Sequence, residues 1–221
     1  SIQIIEPESI QVIENITSIT CYGDDNGTVT LSVIGGIPPY SINWNGKDTN
    51  ALTGGEHNYT ITDQNDCIFS DSIFINEAVG ITITSLISNN ISCFDSSDGS
   101  IDVSVSGGSG IGSYSYYWDN GDTTQDLLNV SVGQYIVTVS DNNCSLKDTI
   151  LVNQPDSLSI TVDNTSNQTN CPPDGSINIS VSGGSGIGTY SYSWDNGGMT
   201  EDITNLSANT YILSLSDTNS C

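Results

Sequence analysis

Residues 93–144 read CFDSSDGSIDVSVSGGSGIGSYSYYWDNGDTTQDLLNVSVGQYIVTVSDNNC. From Ser100 the run SIDVSV alternates apolar and polar residues with period 2, which predicts a strand buried on one face. Gly107-Gly108 follows, where the chain must turn. Tyr114, Tyr116 and Trp118 then fall at i, i+2 and i+4, on one face of a second strand. Tyr117 falls on the other face and is the candidate exposed aromatic. QYIVTVSD, residues 134–141, alternates again and opens on Tyr135, as in the tyrosine-corner strand of immunoglobulin-like sandwiches. No helical period is sustained over ten residues. The segment therefore reads as a small antiparallel β-sandwich.

The pattern occurs three times. CYGDDNGTVTLSVIGG starts at Cys21 and CPPDGSINISVSGG at Cys171. Trp44, Trp118 and Trp194 recur, as do Tyr59, Tyr135 and Tyr211, then Asp63, Asp141 and Asp217, and finally Cys67, Cys144 and Cys221. The period is roughly 75 residues, which marks a tandem array. The joints align too: DSIFINEAVGITIT from Asp71 matches DTILVNQPDSLSIT from Asp148 and SIQIIEPESIQVI at the N-terminus. The expected organisation is a closing strand of a preceding repeat in 1–7, repeats in 8–79 and 80–156, and a third in 157–221 without its closing strand. The reading is a stretch of a longer array, in which residues 1–7 of another copy could fill the third repeat's open edge head to tail.

Six cysteines allow 15 connectivities. Repetition favours one bridge per repeat: Cys21–Cys67, Cys93–Cys144 and Cys171–Cys221. Each encloses about 50 residues, worth roughly 4 kcal/mol in the chain-entropy model, a useful supplement for a domain too small to bury a large core. Because the first cysteine precedes its strand instead of lying within it, the bridge is expected at an end of the sandwich.

Composition excludes several functions. There are 26 acidic residues and two basic ones, Lys47 and Lys147, for a formal charge of −24. Such a surface repels phosphate backbones and anionic lipid, so nucleic acid and basic-patch membrane binding are set aside. No apolar run reaches the ~18 residues of a membrane span. His57 is the single histidine and no CxxC occurs, so neither a histidine triad in each repeat nor a zinc ribbon can be built. Cysteines in so polar a chain point to an oxidising, extracellular compartment.

In order, the landmarks are Cys, an Asp-Gly loop, an alternating strand, Gly-Gly, Tyr-x-Tyr-x-Trp, Asn-Gly, Gly-x-Tyr, an alternating strand, Asp and Cys. This order resembles the SprB repeat of Bacteroidota surface proteins, across all three repeats. The first departs most, being shorter between Gly36 and Tyr59 and reading GGEHNY before its tyrosine. The resemblance implies a non-catalytic repeat segment of a very large adhesin of gliding bacteria, exported by the type IX system and carried as a cell-surface filament. Neighbouring repeats of the chain, other copies in a filament, and surface polysaccharide are the implied partners.

Three chemistries remain to be weighed. Calcium needs six to eight oxygens. The loops after the first cysteine offer Asp24 and Asp25, then Asp95 and Asp98, then only Asp174, with Asn26 aligned to Asp98 and Asp174. A donor set that drifts this way reads as turn chemistry, and no cofactor is expected. Asp63, Asp141 and Asp217 recur at strand ends facing a turn, which is not a paired-carboxylate hydrolase arrangement, so no enzyme is expected. Bacteroidota O-glycosylation resembles Asp-Ser/Thr followed by an apolar residue or Thr. Ser72 and Thr149 fit at matching points of two repeats, and Ser157 and Thr123 fit as well. The rival to a stalk is a carbohydrate-binding accessory array of a polysaccharide-degrading enzyme, which should show an exposed aromatic groove at one place in every repeat. Tyr117 aligns with Asn43 and Ser193, which favours the stalk.

Overall fold

A computed structural model describes residues 2, 7–108, 113–186 and 188–221. The proposed strand in residues 1–7 lies almost wholly outside the described residues. All regular structure described is β, and among these residues no helix is long and apolar enough to cross a membrane.

The first repeat contains β1 (Gln11–Thr17), β2 (Thr28–Ile34), β3 (Ser41–Asn43), β4 (Gly55–Thr62) and β5 (Ile68–Ile75). The second contains β6 (Ile81–Asn89), β7 (Gly99–Gly107), β8 (Ser115–Trp118), β9 (Leu127–Val130), β10 (Gly133–Ser140) and β11 (Ser145–Val152). The third contains β12 (Asp156–Ser166), β13 (Gly175–Gly184), β14 (Ser191–Trp194), β15 (Ile203–Leu206) and β16 (Leu213–Ser216).

Each repeat forms two sheets. In the second they are β6-β7-β9 and β11-β10-β8. Strands one, two and four share a sheet, and strands three, five and six share the other. This is the partition of an immunoglobulin-like sandwich. The first repeat has β1-β2 and β3-β4-β5, with its fourth strand reduced to the Gly27–Leu52 bridge. The third has β12-β13-β15 and only β14-β16. A groove of about 240 Å³, lined by Ile160, Val162, Ile177, Ile179, Trp194 and Leu213 among others, opens into that repeat's core. In the first repeat the closing strand buries Ile73 and Ile75 in its core.

The described chain falls into two compact units. One takes the described residues up to Thr84 together with those of Val105–Tyr116 and Thr138–Lys147. The other takes Ser85–Ser104, Tyr117–Val137 and Asp148–Cys221. Each unit thus contains one joint between consecutive repeats.

The alternation built the cores. Val29, Leu52, Tyr59, Ile61, Ile73 and Ile75 fill the first sandwich, with the Trp44 ring tilted against that of Tyr59 at 4.8 Å between centroids. Trp118 is fully buried and its Nε1–H donates to the Thr124 carbonyl at 2.9 Å, as that of Trp194 does to Thr200. Tyr117, one residue away and on the opposite face, is exposed. The Gly-Gly turns are held by the first tyrosine of each aromatic run: the hydroxyls of Tyr40, Tyr114 and Tyr190 donate to the carbonyls of Gly35, Gly107 and Gly183. Those glycines have φ of +76°, +78° and +82°, and a Cβ there would run into the backbone carbonyl of Ser9, Gly80 or Ser157. The tyrosine corner forms in two repeats, Tyr135 to the Ser131 carbonyl and Tyr211 to that of Ser207. Tyr59 departs, donating to the Glu14 carboxylate, and burial followed by that carboxylate pushes its hydroxyl well above the usual tyrosine range.

The expected cysteine pairing does not form. The bonds are Cys21–Cys144 and Cys93–Cys221, with Cα atoms 5.5 and 5.6 Å apart, and Cys67 and Cys171 are exposed free thiols. The reason is the direction of the strands. β2 leads from the Cys21 loop to Gly35-Gly36, beside Asp63. β5 leads from Cys67 back to Asn76, whose carbonyl accepts the Ile19 N–H near Cys21. Cys21 and Cys67 therefore sit at opposite ends of strands that each span roughly 20 Å or more. A disulfide tolerates no more than about 7 Å between Cα atoms. The bridges do staple sandwich ends, but the ends of consecutive repeats.

Trp118→Ala should lower the denaturation free energy of the chain's second sandwich by about 3–5 kcal/mol, whereas Tyr117→Ala should stay within about 0.5 kcal/mol of the parent. Urea denaturation followed by far-ultraviolet circular dichroism reads both. Equal effects would contradict the assignment of the two faces.

Candidate interaction sites at the repeat joints

The loop before each first cysteine is tied to the aligned Asn or Asp. The Thr20 N–H donates to Asn26 Oδ1 at 3.2 Å, and the Ser92 N–H donates to Asp98 Oδ1 at 2.9 Å. Asp174 accepts the N–H groups of Thr169 and Asn170 at 2.7 and 3.1 Å. Hydrogen bonds from Ser92 and then Ser96 bring the Asp98 carboxyl down to about 2, and those from Thr169 hold Asp174 still further below the ordinary range. These oxygens organise the loop. Among the described residues no group of three or more His, Cys, Asp or Glu side chains is placed to hold a metal ion.

The second cysteine of each repeat is held by the recurring aspartate. Asp63 Oδ1 accepts the Asn65 and Cys67 N–H groups at 2.8 and 3.0 Å, and Oδ2 accepts that of Ile37 at 3.0 Å. Asp141 Oδ1 accepts Asn143 and Cys144 at 2.9 and 2.7 Å. Asp217 accepts Ser185, Asn219 and Cys221 at 2.8, 2.9 and 3.0 Å. The Cys67 amide chiefly lowers the Asp63 carboxyl, and the Ser185 and Cys221 amides bring that of Asp217 down to about 2. The Asp63 and Asp217 carboxylates each clamp the residue after the Gly-Gly turn to the cysteine turn, and that of Asp141 holds its cysteine turn with Oδ2 beside Gly108.

The joints join these two devices. In the first, Cys144 Sγ lies 3.3 Å from the Thr20 carbonyl oxygen, and Cys21 Sγ 3.2 Å from that of Asn143. The Gly23 N–H donates to Glu77 Oε1 at 3.0 Å, Tyr22 covers Gly80, and the Gly108 N–H donates to the Gly80 carbonyl at 3.0 Å. In the second, Cys221 Sγ lies 3.5 Å from the Ser92 carbonyl oxygen, to which Asn219 Nδ2 donates at 3.0 Å. There the Asp95 N–H donates to Gln154 Oε1 at 3.1 Å. A crevice opens at each joint, about 380 Å³ beside Tyr22 and about 320 Å³ beside Phe94. Both rings are at least half exposed. Local sequence patterning does not single out Tyr22, Phe94, Glu77 and Gln154 as joint residues. Their signal was the alignment of the joints, where Glu77 and Gln154 hold one position.

The other sequence candidates are dispersed. Ser72 is half-buried on β5, while Thr123, Thr149 and Ser157 are exposed. Ser72 and Thr149 share one local geometry, each N–H donating to the preceding aspartate, Asp71 or Asp148, at 2.8 or 2.7 Å. One contact had no sequence signal: Lys47 Nζ meets Nδ1 of buried His57 at 2.8 Å, and His57 Nε2 meets the Thr53 carbonyl at 2.8 Å. An ammonium only donates, so Nδ1 is the acceptor and Nε2 carries the hydrogen.

The model of the SprB repeat matches residues 13–49, 85–123 and 163–199, half of the chain. The chain belongs to the SprB repeat family. No curated protein matches it. Among solved structures, immunoglobulin domains 1–5 of Sidekick-1 align with 10% identity and a TM-score of 0.33 over 96% of this chain. The chain spans 59% of that structure's length. Extracellular domains 3–5 of Drosophila OTK align with 11% identity and a TM-score of 0.27, over 96% of this chain and 83% of that one.

Acidification should loosen the second joint of this SprB-repeat chain. The Asp98 and Asp217 carboxyls lie below the ordinary 3.8 when folded, so their stabilisation is complete above that value and is lost as pH falls through about 2. Carboxyl titration by NMR should give midpoints near 2 for both, with amide protection at Cys221 fading over the same range. Midpoints near 4 would contradict the clamp.

Proposed function

We propose that the chain is a non-catalytic spacer segment of a large secreted adhesin or filament at the bacterial cell surface, in the setting of surface attachment and gliding that the SprB repeat implies. One observation carries the reading: covalent bonds run from each repeat to the next. Bonds of this kind suit a chain that transmits tension, because they limit how far it can be drawn out. Pulled at its ends, it can lengthen only along the shortest covalent path, from Ser1 to Cys21, across to Cys144, back to Cys93 and across to Cys221. That path is about 70 residues, or ~250 Å at ~3.5 Å per residue, against ~770 Å for the reduced chain. The charge of −24 keeps neighbouring stalks apart and soluble at low salt. The aspartate-flanked hydroxyls of Thr123, Thr149 and Ser157 are exposed and suit O-glycosylation in that setting.

A second reading is favoured by the joint crevices, where Tyr22 and Phe94 present exposed rings at matching places. Aromatic faces beside polar groups suit surface polysaccharide, and binding there would make the segment adhesive along its length.

Two measurements check these readings. Single-molecule extension between the termini should stop near ~250 Å and reach ~770 Å only with reductant. Full lengthening without reductant would contradict a welded spacer. Antibody raised against the segment should label intact, unpermeabilised source cells. Label seen only after lysis would contradict a surface role, and loss of polysaccharide binding in a Tyr22→Ala, Phe94→Ala double variant would establish the second reading.

A further inference from the structure

The two bonds follow one rule. The first cysteine of a repeat bonds to the second cysteine of the next: Cys21 to Cys144, and Cys93 to Cys221. The rule leaves two positions unsatisfied, the second cysteine of the first repeat and the first cysteine of the third. These are Cys67 and Cys171, the two free and exposed thiols.

The mounts of these thiols match those of the bonded ones. The Cys67 N–H donates to Asp63 Oδ1 at 3.0 Å, as Cys144 and Cys221 donate to Asp141 and Asp217 at 2.7 and 3.0 Å. The returning bond is shared as well: the Asp63 N–H donates to the Cys67 carbonyl at 3.1 Å, and Asp141 and Asp217 donate to those of Cys144 and Cys221 at 3.0 and 3.4 Å. On the other side, the Asn170 N–H donates to Asp174 Oδ1 at 3.1 Å, as Thr20 donates to Asn26 and Ser92 to Asp98. Cys67 is thus presented in the turn that in the other two repeats receives a neighbour's sulfur, and the loop before Cys171 is tied as the donating loops are. Where Tyr22 and Phe94 follow the first cysteine, Pro172 follows Cys171, an apolar residue in a loop two residues shorter.

We propose that Cys67 and Cys171 are complementary half-joints, each built to bond the opposite cysteine of another SprB-type repeat: Cys67 takes a first cysteine and Cys171 a second. The bond forms by exchange with a disulfide oxidant such as oxidised glutathione. The two protein thiols give up two electrons and two protons to form one S–S bond, and the oxidant's S–S bond is cleaved to two thiols. The inference rests on the joint geometry and the family, not on the surface role, so its failure leaves the spacer reading standing.

The test uses a second copy of this chain as the partner. A Cys67→Ser variant keeps Cys171, and a Cys171→Ser variant keeps Cys67. Each is incubated with oxidised glutathione at salt high enough to screen the acidic surface, alone and mixed. The mixture should give a reducible Cys67–Cys171 dimer roughly tenfold in excess of the dimer from either variant alone, because only the mixed pair has a matching joint. The unsubstituted chain should give a reducible ladder of linear oligomers. Equal dimer from single variants and mixture would overturn the proposal, as would an intrachain Cys67–Cys171 bond in the unsubstituted monomer. Circular dichroism of both variants should match the parent. If it does not, glutathione-capped Cys67 and Cys171 in the unsubstituted chain, with no protein-to-protein bond, is the overturning result.

Discussion

The direction of the strands in one small sandwich governs the rest of the structure. The first cysteine opens the strand that leads to Gly-Gly, and the second follows the strand that ends beside Gly-Gly. A single sheet length therefore stands between them. Neither cysteine can reach its own repeat's partner, and Cys21 and Cys93 bond across the joint to Cys144 and Cys221 instead. The bond that forms closes a loop of more than a hundred residues, with sequence separations of 123 and 128. In the chain-entropy model such a loop is worth about 5 kcal/mol, slightly more than a bridge within one repeat. The larger consequence is organisational: two sandwiches too small to be very stable alone share one covalent constraint.

The recurring carboxylates order the loops that meet at the joints. Asp63 and Asp217 tie the second cysteine to the Gly-Gly turn, Asp141 holds Cys144 beside Gly108, and Asn26, Asp98 and Asp174 tie the residue before the first cysteine. Both sets accept backbone N–H groups that a loop would otherwise leave unpaired. The substitution of Asn26 for aspartate is harmless to this role, because an amide oxygen accepts an N–H as well as a carboxylate oxygen does, whereas a cation site would lose a charge. Glu77 and Gln154 show the same tolerance at the joint.

Much of this was legible in the sequence because the alternation is strict. Val29, Ile101 and Val103 lie inside where period 2 places them, and Trp118 and Tyr117 part to opposite faces. The tyrosine corners of Tyr135 and Tyr211 followed from position, while Tyr59 escaped because its partner, Glu14, comes from β1, a neighbour no local pattern names. The cysteine pairing is not legible in the repeat pattern for a deeper reason. A repeat looks the same whether its bridge closes on itself or reaches to the next unit, since both connectivities have one bond per period. Only the ends of the strands distinguish them, and strand direction becomes visible once the Gly-Gly turn is placed against Asp63. The joint residues Tyr22 and Phe94 lay in a loop whose composition suggested only a turn.

Whether covalent bonds link consecutive repeats is read by proteolysis of the unreduced chain followed by mass spectrometry. Peptides joining Cys21 to Cys144 and Cys93 to Cys221 are expected, with Cys67 and Cys171 alkylated without reduction. Peptides joining Cys21 to Cys67 and Cys93 to Cys144 would contradict these links.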